Sequence, residues 1–272
     1  MSLTPRPFVF GDWDADNEGE KTIIYAPPGF GKSTLAMMMP NPVFLGLDDG
    51  ARKLRHPVTG ARPKVITDPE TGHVVNTWEA VRNVLAQPDL FDGFDSLVID
   101  TGTRLEELCT AWVMENIPGP DGRVQELEEY GWGKGYRHVF DNMQHPLAAM
   151  DELVRRGKNI TILCHQMLEN MDSGDYRRTA PELQVRNNAN VNNRWCGWCD
   201  NVFKIDHCGV GIDKKKRKAV STGGYAVFVH PTNPGYVAKA RTIPIDTPVI
   251  SFSTPDDNSI WIELFGEGYD AV

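Results

Sequence analysis

The chain has 272 residues, of which 40% are hydrophobic and 24% charged, an ordinary balance for a globular protein with room for one large domain or two small ones. A formal net charge of -9 excludes coating nucleic acid by bulk charge, but not a local basic site. Five Cys are too few for a disulfide scaffold, no apolar run approaches the ~20 residues that span a bilayer, and the N-terminus shows no signal peptide. A cytoplasmic, reducing setting without membrane attachment is expected.

Residues 1–20 are polar and read as an arm or an edge strand. Lys21 to Tyr25 reads as a buried strand, Ala26 to Gly31 as a Gly/Pro loop, and Lys32 to Met39 as a helix stopped by Pro40. Val43 to Leu47 is a second strand, ending at Asp48-Asp49-Gly50. Thr77 to Ala86 predicts a helix with Thr77 as its cap, and Ser96 to Asp100 a third strand. Helices are expected over Thr103–Asn116 and Lys134–Gly157, and a fourth strand over Ile160–Cys164, followed by His165-Gln166. Alternating strands and helices predict a mostly parallel sheet flanked by helices. After Pro181 the pattern changes. Val202–Asp206, Tyr225–His230, Tyr236–Arg241 and Ile260–Phe265 read as strands without helices between them, an antiparallel extension over 200–272.

Ala26-Pro27-Pro28-Gly29-Phe30-Gly31-Lys32-Ser33 lies between a strand and a helix and carries the G-K-[ST] end of a phosphate loop. Ala26 stands where the pattern has its first Gly. Gly29 and Gly31 let backbone N–H groups turn toward phosphate oxygens, and the helix that follows presents its positive end. Pro28, Gly29, Phe30, Gly31, Lys32, Ser33 and Thr34 are the expected ATP-binding residues. Lys32 would reach the β- and γ-phosphates and Ser33 would hold Mg²⁺. Asp100, at the end of an apolar strand, is the expected acid that holds Mg²⁺ through water. Thr101 stands where many P-loop ATPases carry a catalytic Glu, so the base must come from elsewhere or hydrolysis is not the function. Asp48 is the candidate, with Asp49 as alternate; both also suit an ordinary turn.

Lys214-Lys215-Lys216-Arg217-Lys218 is the strongest basic run and a candidate phosphate contact; a solvated hairpin tip explains it equally well. Tyr176-Arg177-Arg178 is a second nucleic-acid candidate. Cys196 and Cys199, near His207-Cys208, hold part of a zinc pattern, but buried thiols are the favoured reading.

The order of strand, P-loop, acid after the second strand, acid after the third, and a strand ending in His165-Gln166 resembles the RecA-like ATPases. More closely, it resembles small phage-encoded ones, including those of the recombination and single-strand annealing type. The resemblance covers roughly residues 20–245. It implies one RecA-like ATPase domain over 1–272 and Gln166 as sensor of the γ-phosphate. It also implies that Lys239 and Arg241 act as cations reaching a neighbouring subunit's nucleotide. Single-stranded DNA, a ring or filament of like subunits and a single-strand-binding protein are the implied partners, in host cytoplasm. A ring helicase motor, a P-loop kinase of a small molecule and a nucleotide-dependent assembly protein remain alternatives.

Overall fold

The computed structural model describes residues 17–48, 50–171, 176–186, 188–213 and 218–266. The chain runs β1 (Lys21–Tyr25), α1 (Lys32–Ala36), β2 (Pro42–Gly46), β3 (Lys64–Val65), α2 (Trp78–Leu85), β4 (Ser96–Asp100), α3 (Gly102–Asn116), α4 (Lys134–Asn142), α5 (His145–Arg155), β5 (Asn159–Cys164), β6 (Gln166–Asn170), β7 (Arg177–Pro181), α6 (Val191–Trp198), β8 (Asn201–Asp213), β9 (Lys218–Phe228), β10 (Val249–Phe252) and α7 (Ser259–Phe265). The main sheet has the order β10-β9-β8-β1-β5-β4-β2-β3. From β8 to β3 every pairing is parallel; β9 and β10 add to the β8 edge antiparallel. The expected fold class, a mostly parallel helix-flanked sheet with antiparallel strands toward the C-terminus, is therefore the one observed.

Period-two alternation explains why both sheet faces are covered. Ile23, Val43, Leu45, Leu97, Ile99, Ile160 and Ile162 enter one apolar cluster with α2, α3 and α5. Their neighbours Ile24, Phe44, Val98 and Leu163 enter a second cluster with α1 and α7. Register aligns the strand ends that matter: Tyr25 is level with Cys164, Leu163 with Asp100, and Asp100 with Gly46. The loops that follow β1, β2, β4 and β5 thus open at one end of the sheet.

Several expected elements need correction. The helix beginning at Lys32 ends at Ala36; Met37–Met39 continue as buried tight turns, with Met38 N–H on Leu35 O and Met39 N–H on Ala36 O. The span Lys134–Gly157 is two helices, because Pro146 starts a new first turn in α5. Ile260–Phe265 is helical: Ile260, Trp261, Leu264 and Phe265 share one apolar face at helical spacing. Trp261 is fully buried and its Nε1–H donates to Leu35 O at 2.8 Å, so α7 braces the end of the P-loop helix. Removing that indole would cost about 3–5 kcal/mol. Tyr236–Arg241 is no regular strand. Its residues bridge singly to two different partners, Tyr236 to Thr179 and Lys239 to Val202. The stretch Leu168–Pro181, which holds Tyr176-Arg177-Arg178, is in large part the β6–β7 hairpin.

Candidate nucleotide site

Gly29 and Gly31 both take left-handed φ, 84° and 81°, which is why the loop needs glycine there. The turn delivers Lys32 and Ser33 into a cleft of about 360 Å³. Pro28 to Thr34 form one wall of the cleft, and Asp48, Asp100, Thr101 and His165 come from the other strand ends. This is the size of a small-molecule site.

Ser33 Oγ donates to Asp100 Oδ2 at 2.7 Å. Asp100 is only 2% exposed, and burial pushes its pKa up to about 6, with the nearby Asp48 charge adding to the rise; the Ser33 hydrogen bond and Lys32 oppose it. No ion pair reaches Asp100 among the described residues. A buried carboxylate beside a hydroxyl, with no salt bridge among the described residues, fits a hard divalent ion. Lys32 is itself buried, at 7% exposure, and donates to Ala26 O at 2.9 Å and Pro27 O at 3.2 Å. Burial lowers its pKa, and Asp100 pulls the other way. Asp48 Oδ1 accepts the Gly50 N–H at 2.8 Å, so the turn and the cleft wall are the same feature. Asp49 lies outside the described residues.

Sequence reasoning placed Gln166, not His165, at the phosphates. In the structure His165 lines the cleft, and its N–H donates to Thr103 Oγ1 at 3.1 Å. Gln166 begins β6 and lies outside that lining. His165 Nδ1 and Gln166 Oε1 are both buried polar atoms with no partner, the condition of groups that await a ligand. The signal for His165 was its position directly after β5, the strand between β1 and β4.

A second cleft of about 300 Å³ shares Gly29, Phe30, Gly31 and Thr34 with the first. Its far wall is Tyr225, Phe252, Pro255 and Asp257. The Phe30 and Tyr225 rings meet edge to face at 5.6 Å, and Tyr225 stacks on Phe252 at 5.8 Å. Nothing in the sequence marked this wall, because it assembles from β9, β10 and the loop after β10.

Lys239 and Arg241 are not at the cleft. Lys239 N–H donates to Val202 O at the start of β8, and its Nζ donates to Cys196 O at 2.8 Å and to Cys199 O, capping α6. Orphan helix carbonyls attract such a cation, so the structure gives Lys239 a local role in its own chain. Arg241 is 61% exposed and lies 3.5 Å from Asp200. Asp200 in turn accepts the Lys21 N–H at the opening of β1. Arg241 therefore sits at the opposite end of β1 from the P-loop, while Lys239 bridges Val202, level with Ile23 at the middle of β1.

Arg178 pairs with Glu169 at 2.6 Å across the hairpin, and Tyr176 and Arg177 are exposed. Lys214 to Arg217 lie outside the described residues; Lys218 opens β9. Cys199 is buried, and Cys196 Sγ donates to Asn192 Oδ1 at 3.1 Å, its pKa pushed up to about 12 by burial.

A glycine-shaped phosphate loop, a buried lysine and a hydroxyl–carboxylate pair at aligned strand ends define a RecA-like P-loop nucleotide-binding core. The chain belongs to the AAA domain family AAA_24, whose model matches residues 18–242. No curated protein matches it. Among solved structures it is similar to the RadB recombinase, at 12% identity over 88% of this chain and 89% of that one, with a TM-score of 0.46. It is also similar to a KaiC-like protein from the hyperthermophilic archaeon Pyrococcus horikoshii OT3, at 12% identity over 86% and 90%, with a TM-score of 0.43.

Proposed function

We propose that this protein binds ATP with Mg²⁺ and hydrolyses it, and that turnover is coupled to handling single-stranded DNA in recombination or annealing of the phage type. The Ser33–Asp100 pair carries the reading: a hydroxyl at 2.7 Å from a buried carboxylate, beside Lys32, is the arrangement a metal–triphosphate would complete. Backbone N–H groups of the loop and Lys32 would hold the phosphates. Ser33 and Asp100 would hold Mg²⁺, which supplies charge neutralisation at the phosphoryl group. The aromatic wall of Tyr225 and Phe252 would take the base.

Asp48 would accept a proton from the attacking water as its oxygen bonds to the γ-phosphorus and the bond to the β-phosphate oxygen breaks. His165, with its buried unpartnered Nδ1, and Gln166 would register the γ-phosphate. Arg241 lies a strand length from its own P-loop, so it would act only on the nucleotide of a neighbouring copy. A small-molecule kinase would use Arg177 and Arg178 as lid arginines, and that rival reading is weakened because Arg178 is held by Glu169.

ATPase activity measured with and without oligo(dT), at several protein concentrations, tests this. Specific activity should rise with both. No hydrolysis under any condition would remove the ATPase reading, and turnover indifferent to protein concentration would remove action between subunits.

A further inference from the structure

The nucleotide cleft is short of positive charge. Among the described residues that line it, Lys32 is the one cation, set against the carboxylates of Asp48 and Asp100. A triphosphate brings more negative charge than Mg²⁺ and one lysine offset, and phosphoryl transfer spreads further charge over the terminal oxygens. Lys239 and Arg241 do not reach this cleft in their own chain.

The loop after β2 carries cations to the cleft rim. Residues 50–67 hold Arg52, Lys53, Arg55, Arg62 and Lys64 and no acid, in a chain of net charge -9. Leu54 N–H donates to Ala51 O at 3.0 Å, which makes Arg52 and Lys53 the two central residues of a tight turn. Gly50 and Leu54, on either side of that turn, both line the cleft. Ala51 is buried, and Leu54 packs against the cluster that holds Ala51, Leu35 and Phe44, so the turn is anchored at both ends. Arg52 and Lys53 are exposed at its apex, and neither makes an ion pair among the described residues. Arg55 and Arg62 follow outside the cleft lining, where His56 closes a separate loop by donating its N–H to Ala61 O at 2.8 Å.

We propose that Arg52 binds the terminal phosphate of the nucleotide held by its own chain. The proposal rests on the ATP reading above and adds a residue to it. A guanidinium presents a planar fork that bonds two phosphate oxygens at once, whereas an ammonium acts as a point charge; this selects Arg52 over Lys53. An exposed side chain on anchored backbone can fold onto a ligand while the loop stays in place, which keeps the cost of positioning low. With no acid in the segment, nothing nearby competes with the phosphate for the guanidinium. Asp48 Oδ1 accepts the Gly50 N–H at 2.8 Å, so the candidate base and this cation share one short loop and address the same phosphorus from one side. Each pocket then carries a cation of its own, and Arg241 of a neighbouring copy adds to it.

Calorimetry on the full chain with Mg²⁺, comparing ADP with the non-hydrolysable analogue AMP-PNP, reads this contact without turnover. Arg52→Gln should bind AMP-PNP about tenfold more weakly than the natural protein, the loss of one charged hydrogen-bonded contact, and ADP within about twofold. Arg52→Lys should fall between, keeping the charge without the fork. Lys53→Gln should bind both nucleotides as the natural protein does. The turnover of Arg52→Gln should drop about 10²-fold or more. Mixing it with Lys32→Ala protein should return none of that loss, because pocket and cation must share one chain. ADP affinity and melting temperature serve as the folding controls. Unchanged AMP-PNP affinity in Arg52→Gln, or an equal loss for both nucleotides, would overturn the proposal while the ATP reading stands. Recovery on mixing would overturn the assignment to its own chain. Natural protein that binds neither nucleotide would remove the ATP reading, and this contact with it.

Discussion

At the end of β1 that leads into Ala26, Asp100 lies buried beside Ser33 and Lys32 with no ion pair of its own among the described residues. At the start of the same strand, Asp200 takes the Lys21 N–H and lies against Arg241, while Lys239 is spent on the last carbonyls of α6. The separation is only ~13 Å, four residue steps of extended chain. One end keeps charges unmatched in a cleft, and the other settles them within the chain. Unmatched burial is costly and persists where a ligand supplies the missing partner. The difference therefore says which end of the sheet receives a charged ligand and which serves assembly or stability.

The largest effect should follow Lys32→Ala. Turnover should vanish and ATP affinity, by calorimetry, should fall roughly 100-fold, the loss of a charged donor to phosphate. Melting should confirm an intact fold, with at most ~2 kcal/mol lost because Ala26 O and Pro27 O lose their donor. Normal ATP binding by this variant would erase the contrast between the two ends. Asp48→Asn should spare affinity and slow turnover by about 10²-fold or more, since an amide cannot take the water's proton. Unchanged turnover there, with loss in Asp49→Asn, would move the base by one residue.

Asp100 sharpens the comparison through pH. Its pKa is raised from 3.8 to about 6, so the folded state holds its proton more tightly than the unfolded chain. Stability from this group is fully present below about pH 4 and is lost as pH rises through 6. The buried charge then costs on the order of 3 kcal/mol at pH 8. Asp100→Asn, which can still accept from Ser33, should raise the melting temperature of nucleotide-free protein at pH 8 and leave it nearly unchanged at pH 4. The same variant should lose Mg²⁺-dependent ATP affinity, and in the natural protein that affinity should fall as pH drops below about 6. A variant no more stable at pH 8 than the natural chain would mean that the carboxylate is already neutralised. Glu106, pushed up to about 7 mainly by burial, tilts the pH profile the same way, so the comparison is best made variant against natural protein.

The parallel half of the sheet was legible because its strands are short, apolar and bounded by turn residues, and a P-loop constrains composition on both sides of itself. Lys21–Tyr25 and Ser96–Asp100 were read with the bounds the structure gives them. The aromatic wall of the second cleft was not legible, since Tyr225, Phe252 and Asp257 meet only through long-range packing. Ile260–Phe265 misled because a short apolar run suits a strand as well as a buried helix, and only Trp261 reaching Leu35 O decides. Lys239 misled in a different way. The family resemblance paired it with Arg241, and residues two apart on a regular strand would share a face, whereas this segment is no regular strand and the two side chains meet different surroundings.

That divergence yields the smallest and last prediction. Lys239→Met should destabilise the chain by about 1–2 kcal/mol, because two carbonyls at the end of α6 lose a charged donor. Arg241→Ala should cost less than ~0.5 kcal/mol, its partner being a half-open contact at 3.5 Å. If Arg241 serves a neighbouring subunit, its variant should still lose turnover despite that near-silent stability. Mixed with Lys32→Ala protein, which lacks a competent pocket but keeps its arginine, it should regain part of the activity at head-to-tail interfaces. Recovery must depend on total concentration, since each productive pocket needs one protomer of each kind. Proven co-assembly without recovery would leave Arg241 as a surface residue, and both cations would then belong to the self-satisfied end of the sheet.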